Sequence, residues 1–369
     1  MRRHPHKPLY ILASGGTGGH LFPALSLCEK LKQYGRRVFL ITDQRSKNFN
    51  NLQNFDQVYV RTMSHRAPVI GRGILYLSLL WQTLYCYWLY RKIQPTLVVG
   101  FGGYPSIPPV LAAQLRGIPT IIHEQNALLG KANRFLAKRA YRVATSFQSS
   151  EKTLLHTTFT GNPIRAEIAA LNAQPYIKPE TNQPFHILVT GGSQGARIFS
   201  DVVPQALIRL PLDLQRRLSI VQQCRPEFMA RTKVTYRQSF LDVHLTSFIT
   251  DIAAEYQKAH LVIARSGAST VAELAATKKP SILVPYAASL EADQMNNSEP
   301  LRKAGAAWVF KEDDFTPEAL ASLLENLMKN PDLLVNTSRN IEKFSKLDAT
   351  QALANTVAEV IGDLLISKE

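Results

Sequence analysis

The sequence predicts an α/β protein of two doubly wound domains with parallel sheets, joined by a proline-rich linker. Short apolar runs alternate with helical patterns along the chain, as in parallel βαβ units. Each half opens on the same succession of strand, glycine-rich turn and helix, a repeat of fold rather than of sequence. The chain's 369 residues also exceed the usual size of one domain.

In the first half, Leu9–Ala13 is an apolar run that leads into Gly15-Gly16-Thr17-Gly18-Gly19-His20, and a helical pattern follows from about Phe22 to Tyr34. Arg37–Ile41, Thr96–Val99, Pro119–Ile122 and Arg142–Thr145 read as further buried strands, each closed by turn residues. Pro175, Pro179 and Pro184 fall among polar residues and mark Ala173–Pro184 as a linker. The pattern then restarts with His186–Thr190, a glycine turn at Gly191–Gly195 and a helix. Leu218–Gln222, His244–Phe248, Leu261–Ala264 and Ser281–Val284 supply more strands. The amphipathic stretch Ala349–Leu365 suits packing on either domain. The expected division is residues 1–164, residues 165–344, and a terminal helix at 345–369 that returns to the first domain.

A net charge of +15 attracts anions: nucleic acid, acidic lipid headgroups or phosphorylated substrates. Composition alone does not choose among them. Cys28, Cys86 and Cys224 are far apart and form no CxxC, so a reducing compartment without disulfides is expected. Residues Met1–Pro8 are basic but run straight into a strand without an apolar signal segment, so export is not expected.

Doubly wound domains place their sites in loops at the C-terminal ends of strands. Gly15–His20 occupies such a place, where glycines admit a close backbone approach and a helix N-terminus offers N–H groups to an anion. It is neither a dinucleotide fingerprint, because Leu21 stands where the last glycine belongs, nor a Walker A loop. Gly191-Gly192-Ser193-Gln194-Gly195-Ala196-Arg197 repeats this logic: Ser193 suits a phosphate, and Arg197 is either a ligand or a solvated side chain. Gly100–Ser106 adds a third glycine-lined loop. His123-Glu124-Gln125-Asn126 follows a strand end and suits a hydrogen-bonding surface. Gly161–Arg165 is either a hinge or part of the site.

Arg265-Ser266-Gly267-Ala268-Ser269-Thr270-Val271-Ala272-Glu273 runs from a strand into a helix. Its arginine and helix start suit a diphosphate, and Glu273, about two turns along, suits ribose hydroxyls. The alternative is a helix capped by Ser266 with a surface glutamate. Asp293-Gln294-Met295-Asn296-Asn297 offers amides for sugar hydroxyls or a solvated loop. No DxD triplet or metal-ligand spacing occurs, so no metal and no cofactor is expected; arginines and helix dipoles take the place of Mg²⁺.

Ile74–Tyr90 is apolar around nearly its whole circumference, with Ser78 and Gln82 as one thin polar stripe. Arg61, His65, Arg66 and Arg72 precede it; Arg91 and Lys92 follow. The run is short for a bilayer span. It reads as a helix buried against the sheet or as an interfacial helix rich in Trp and Tyr.

GGTGGH, GFGGYPS, HEQN, GNPIR, GGSQGAR, RSGAxTxxE and the Gln-x-x-Asn after VPY occur in the order and approximate spacing of the MurG family, which the chain resembles from Gly15 to Asn297. That resemblance implies a GT-B fold, two Rossmann-like domains facing a deep cleft, with the acceptor and membrane on the N-terminal side and UDP-GlcNAc on the C-terminal side. It implies an inverting, metal-independent transfer of N-acetylglucosamine from UDP-GlcNAc to the C4 hydroxyl of MurNAc in lipid I, giving lipid II at the cytoplasmic face of the bacterial plasma membrane. The partners it implies are UDP-GlcNAc, lipid I and an anionic membrane surface, with no nucleic acid. By matching position, Thr17, Gly18 and Gly19 approach the phosphates; Asn126, Arg165 and Ser193 contact the nucleotide sugar; the Ile249 backbone meets uracil. Ala268, Ser269, Thr270, Val271, Ala272 and Glu273 hold the diphosphate and ribose, and Gln294 reads GlcNAc hydroxyls.

His20 ends the glycine loop of the acceptor domain, and an imidazole is suited to act as general base near neutral pH. The alternatives are a binding role for His20, or Glu124 as base. Two departures from the family pattern, residues 287–293 and Ser298, bear on the GlcNAc contacts. A UDP-GlcNAc 2-epimerase of the same fold is the rival enzyme. A basic membrane- or nucleic-acid-binding protein is the rival non-enzyme, but it leaves the glycine loops unexplained.

Overall fold

In the first half of the chain, β1 (Leu9–Ala13), β2 (Arg37–Asp43), β3 (Asp56–Val60), β4 (Leu97–Gly100), β5 (Thr120–Glu124), β6 (Arg142–Thr145) and β7 (Thr157–Phe159) form one sheet. Its order is β3-β2-β1-β4-β5-β6-β7, and every pairing is parallel. The computed structural model describes residues 8–48, 56–60, 69–148, 156–192, 195–237, 239, 241–288 and 293–366. The chain divides into two compact units, Met1–Arg165 with Leu347–Glu369, and Ala166–Lys346.

Successive side chains of a strand point to opposite faces, so a strand buried on both sides must be apolar at every position. β1 meets that condition. Tyr10 and Leu12 pack with Leu21, Leu25 and Cys28 of α1 (Gly18–Gln33) on one face. Leu9, Ile11 and Ala13 face the other way, toward Cys86 and Tyr90 of α2 (Val69–Ile93), Val110 and Ala113 of α3 (Ile107–Leu115), and Leu136 of α4 (Lys131–Ala137).

In the second unit, α5 (Ala166–Ala169) precedes β8 (Phe185–Thr190), α6 (Arg197–Leu207), α7 (Leu212–Gln215), β9 (Leu218–Gln223), α8 (Pro226–Tyr236), β10 (Asp242–Thr246) and α9 (Ile252–Lys258). β11 (Leu261–Ala264), α10 (Ala268–Ala276), β12 (Ser281–Leu283), α11 (Asp293–Lys303), β13 (Trp308–Val309), α12 (Pro317–Lys329) and α13 (Asp332–Glu342) complete it. The sheet order is β10-β9-β8-β11-β12-β13, again parallel. Phe185, Ile187 and Val189 of β8 anchor its core against Phe199 and Val203 of α6 and Leu320 and Leu324 of α12. The last helix, α14 (Ala349–Ile366), returns to the first unit. Its Leu353, Ala354, Val357 and Val360 join the α1 face of that core, and Tyr34 Oη donates to Gln351 Oε1 at 2.6 Å.

The two doubly wound sheets are those read from the sequence, with corrections that matter for function. α1 begins at Gly18 rather than near Phe22 and runs through Pro23, which has no N–H to donate to the Gly19 carbonyl one turn back. β5 extends to Glu124, so His123 and Glu124 belong to a buried strand rather than to the loop after it. β10 ends at Thr246, two residues short of the expected Phe248.

The polar stripe of α2 points inward. Gln82 is 8% exposed and donates to Ser78 Oγ at 2.8 Å, while Cys86 and Tyr90 are buried beside it. The outward face carries Tyr76 and Leu77 at 68%, Trp81 at 73%, Trp88 at 58%, and Leu80, Leu84 and Tyr85. The helix is thus buried against its own unit along one side and apolar toward solvent along the other. Among the described residues no helix is long and apolar enough to cross a membrane. Arg61, His65 and Arg66 of the expected basic flank lie outside the described residues.

Candidate active site

The strand order of the first sheet reverses between β1 and β4, the kind of place where α/β sheets bind ligands. The loops leaving those two strands meet there: Gly15 N donates to Gly102 O at 3.1 Å. Gly16 passes so close to Asp43, the last residue of β2, that a Cβ would overlap the Asp43 carboxylate. That carboxylate is held in turn by Arg45, whose backbone N and Nε each lie 2.9 Å from it. Thr17 is extended (φ −97°, ψ 148°) and starts α1 without a side-chain cap. Gly18 is buried, whereas a Cβ on Gly19 would meet nothing within 4 Å. Packing therefore does not demand a glycine at 19, and the close approach of a bound group would.

His20, third residue of α1 and half-buried, reaches the end of β5. Its Nδ1 lies 3.0 Å from Gln125 Oε1. Gln125 is buried, and its Nε2 lies 3.0 Å from His123 Nδ1 and 3.3 Å from the His123 carbonyl. His123 Nε2 lies 3.2 Å from Gly161 O. A chain of hydrogen bonds thus runs from the GNPIR segment through HEQN to GGTGGH.

Glu124 is occupied differently. Its Oε1 accepts from Asn126 N at 2.9 Å and Nδ2 at 3.2 Å, and its Oε2 from Gly130 N at 3.0 Å and Asn133 Nδ2 at 2.8 Å. A buried carboxylate with four donors anchors the loop after β5 and shapes the position of Asn126. Arg165, at the end of the unit, stacks over the Phe22 ring of α1 at 4.7 Å.

Burial pushes the His123 imidazole down to about 4. In the second unit His260, whose Nδ1 accepts from His186 N at 3.0 Å, is likewise pushed to about 4 by burial and by the neighbouring His186 and Lys279. Unfolded histidines titrate near 6.5, so between about pH 6.5 and 4 the unfolded chain binds more protons than the folded one. Each histidine stabilises the fold fully above that window and loses its contribution as pH falls through it, on the order of 3 kcal/mol for the fully buried His123. Calorimetry should show Tm dropping from pH 7 to pH 4.5; equal Tm values would contradict these burials.

In the second unit the order reverses between β8 and β11. Gly191 follows β8, and a Cβ there would run into the backbone of Gly195 and Ala196, so the turn admits only glycine. Arg225 Nη2 holds this turn from outside, donating to Gly195 O at 3.1 Å. Exposed Arg197 pairs with half-buried Asp201 at 3.1 Å, as a solvated side chain would. Ser193 lies outside the described residues.

α10 begins at Ala268, with Gly267 extended before it. Ser266 is not the cap: its Oγ donates to Gln294 O at 2.8 Å and so ties α11 to α10. Ser269, Thr270 and Ala272 are partly exposed, while Ala268 and Val271 are buried. Glu273 is buried and accepts from Tyr256 Oη at 3.2 Å. Arg265 is committed elsewhere, to Glu312 and, at 3.0 Å, to Val284 O. It braces the two strand ends rather than the start of α10. Gln294 Oε1 accepts from Tyr286 N at 3.0 Å. Ile249 is half-buried in the loop between β10 and α9, where Asp251 caps α9 through Ala254 N at 3.0 Å. Among the described residues, no three His, Cys, Asp or Glu side chains cluster as metal ligands.

Asp43, Asn133, Tyr256 and Arg225 carry no role legible in the sequence, and Gln125 only its share in the HEQN hydrogen-bonding surface. The others act through contacts between distant segments.

Residues 10–145 match the glycosyltransferase family 28 N-terminal domain, and residues 186–353 match the glycosyltransferase family 28 C-terminal domain. The crystal structure of Acinetobacter baumannii MurG is similar with a TM-score of 0.77 at 28% identity, covering 95% of this chain and 99% of that one. A UDP-N-acetylglucosamine–N-acetylmuramyl-(pentapeptide) pyrophosphoryl-undecaprenol N-acetylglucosamine transferase from Rhodopseudomonas palustris (strain BisA53) is 43% identical over 371 residues, 96% of each chain. The chain belongs to the MurG family. A UDP-N-acetylglucosamine 2-epimerase is also similar, with a TM-score of 0.66 at 16% identity over 99% of this chain and 98% of that one. That likeness is one of fold alone. Within the MurG family pattern, the departure at Ser298 is absorbed internally: its Oγ donates to Met295 O at 3.0 Å inside α11. The other departure falls partly on residues 289–292, outside the described residues.

Proposed function

We propose that the chain transfers N-acetylglucosamine from UDP-GlcNAc to the C4 hydroxyl of the MurNAc unit of lipid I, releasing UDP and forming lipid II with inversion at the anomeric carbon. The observation that carries this reading is identity of more than two-fifths, end to end, with a transferase named for that reaction. The MurNAc oxygen forms a bond to the anomeric carbon as the bond from that carbon to the diphosphate oxygen breaks. UDP leaves with the electron pair, and the hydroxyl proton passes to His20 Nε2. Thr17, Gly18 and Gly19 offer backbone N–H groups to phosphate, with Asn126 and Arg165 nearby in the same unit.

In the second unit, the start of α10 from Ala268 to Ala272 meets the diphosphate, and Glu273 meets the ribose. Ser193 contacts the nucleotide sugar, Ile249 uracil, and Gln294 the GlcNAc hydroxyls. The electropositive groups named here do not require Mg²⁺. The outward apolar face of α2, followed by Arg91 and Lys92, rests on the anionic cytoplasmic face of the plasma membrane, where lipid I is held. The excess positive charge thus serves lipid and nucleotide phosphates, not nucleic acid.

Ligand binding to the folded state raises stability by mass action, about 2.7 kcal/mol at a hundredfold excess over Kd. UDP-GlcNAc should therefore raise Tm, and an oligonucleotide at low micromolar concentration should not; the reverse pattern would favour the nucleic-acid rival. Glu273→Ala should weaken UDP binding by about 1–3 kcal/mol, the scale of hydrogen bonds to a charged group. The variant also strips Tyr256 of its acceptor, so Glu273→Gln, which keeps an acceptor there, is the control for folding. Unchanged UDP affinity in both folded variants would remove Glu273 from the donor site.

A further inference from the structure

A backbone carbonyl oxygen can only accept, and this fixes every proton along the chain that ends at His20. Gly161 O lies 3.2 Å from His123 Nε2, so that nitrogen carries hydrogen. A neutral imidazole has one N–H, so His123 Nδ1 is an acceptor, and burial at 0% exposure keeps the ring neutral. The group 3.0 Å from it must then be the Gln125 amide nitrogen. The same nitrogen lies 3.3 Å from the His123 carbonyl, which also only accepts and independently fixes the amide's orientation. Gln125 therefore presents Oε1 to His20, and the His20 nitrogen 3.0 Å away, Nδ1, is the donor. In neutral His20 the lone pair is left on Nε2.

We propose that Gln125 is a positioning residue for the transfer step: relayed from the Gly161 carbonyl through His123, it locks His20 in the Nδ1–H tautomer and leaves Nε2 as the bare, basic nitrogen. On the transferase reading above, Nε2 receives the hydroxyl proton; the tautomer itself does not depend on that reading. The groups around the His20 ring suit this role. Gln125 and His123 behind it are neutral, the Glu124 carboxylate is turned toward Asn126, Gly130 and Asn133, and the ring's Cδ2 edge lies against the Gly15 and Gly103 backbone. A carboxylate in place of Gln125 would hold the same proton but favour the imidazolium, which cannot act as a base. The neutral amide orients the ring without that penalty.

The test uses the full-length protein labelled with ¹⁵N at histidine. At a pH where His20 is neutral, its spectrum should show protonated Nδ1 and bare Nε2; in Gln125→Leu it should show a mixture of tautomers. Transfer by Gln125→Leu should fall about tenfold or more in kcat with the KM for UDP-GlcNAc nearly unchanged. In Gln125→Glu the acidic limb of kcat/KM should move to higher pH, a change that a purely structural role would not produce. Nε2–H in the wild-type protein, a His20 tautomer unmoved by Gln125→Leu, or an acidic limb unmoved in Gln125→Glu would each overturn the proposal. Should Gln125→Leu fail to fold, the wild-type spectrum and the Gln125→Glu profile still decide. A wild-type protein with the Nδ1–H tautomer that transfers no sugar would remove the transferase reading and leave the lock standing.

Discussion

Replacing His20 with alanine is expected to lower kcat by about 10²–10⁴-fold, the range for loss of a general base, with UDP affinity little changed. His20 lies in the first turn of α1 in the first unit, whereas the proposed uridine contacts of Glu273 and Ile249 are in the other unit. On the proposed function, its removal withdraws the group that takes the hydroxyl proton and leaves the proposed nucleotide contacts in place. The acidic limb of the pH–rate profile should vanish with it, because that limb reports protonation of the base. Glu124, the other candidate, already accepts four hydrogen bonds from its own loop and α4. Its substitution should cost stability and Asn126 placement rather than remove a limb of the profile. A His20→Ala protein that keeps the acidic limb, or that chiefly loses donor affinity, would make His20 a binding residue.

The second large effect is expected at the membrane. Leu77, Trp81 and Trp88 all face solvent from the outward side of α2. Fully burying a large apolar side chain is worth about 1.5–3 kcal/mol and these three are only partly exposed, so replacing them with serine should cost on the order of 4 kcal/mol of partitioning, about a thousandfold. Because these side chains pack little against the fold, Tm and soluble-substrate binding should stay nearly constant. The remaining binding of the wild-type protein to anionic vesicles should weaken with salt, since exposed charges are screened over about 10 Å at 0.1 M. Equal binding to neutral and anionic vesicles at low salt, or full binding by the triple variant, would place the docking surface elsewhere.

What was legible in the sequence, and what was not, divides by the range of the interactions. β1 and β11 begin and end where their apolar runs do, since burial on both faces leaves a local signature. The glycine loops were legible for a similar reason: a turn such as Gly191's excludes a side chain through its own neighbours. His123 and Glu124 look like loop residues. They continue β5 because Gly161, Gly130 and Asn133 satisfy their polar atoms from distant or looped segments. The same holds for Gln125 and His20, 105 residues apart in sequence. In α2, Ser78 and Gln82 form the one polar stripe that the sequence shows, on a helix read as either buried or interfacial. They turn inward, where Gln82 Nε2 donates to Ser78 Oγ, and the large apolar side chains are left outside. Hydropathy reveals the stripe but not the side on which water lies.

Sugar transfer to lipid I is tested most directly by incubating the purified protein, in EDTA, with labelled UDP-GlcNAc and a lipid I analogue in anionic vesicles. The predicted result is label in a β-linked disaccharide lipid and stoichiometric release of UDP, abolished or strongly reduced in His20→Ala. Recovery of the label only in a free sugar or an epimerised nucleotide, with the lipid unchanged, would contradict it.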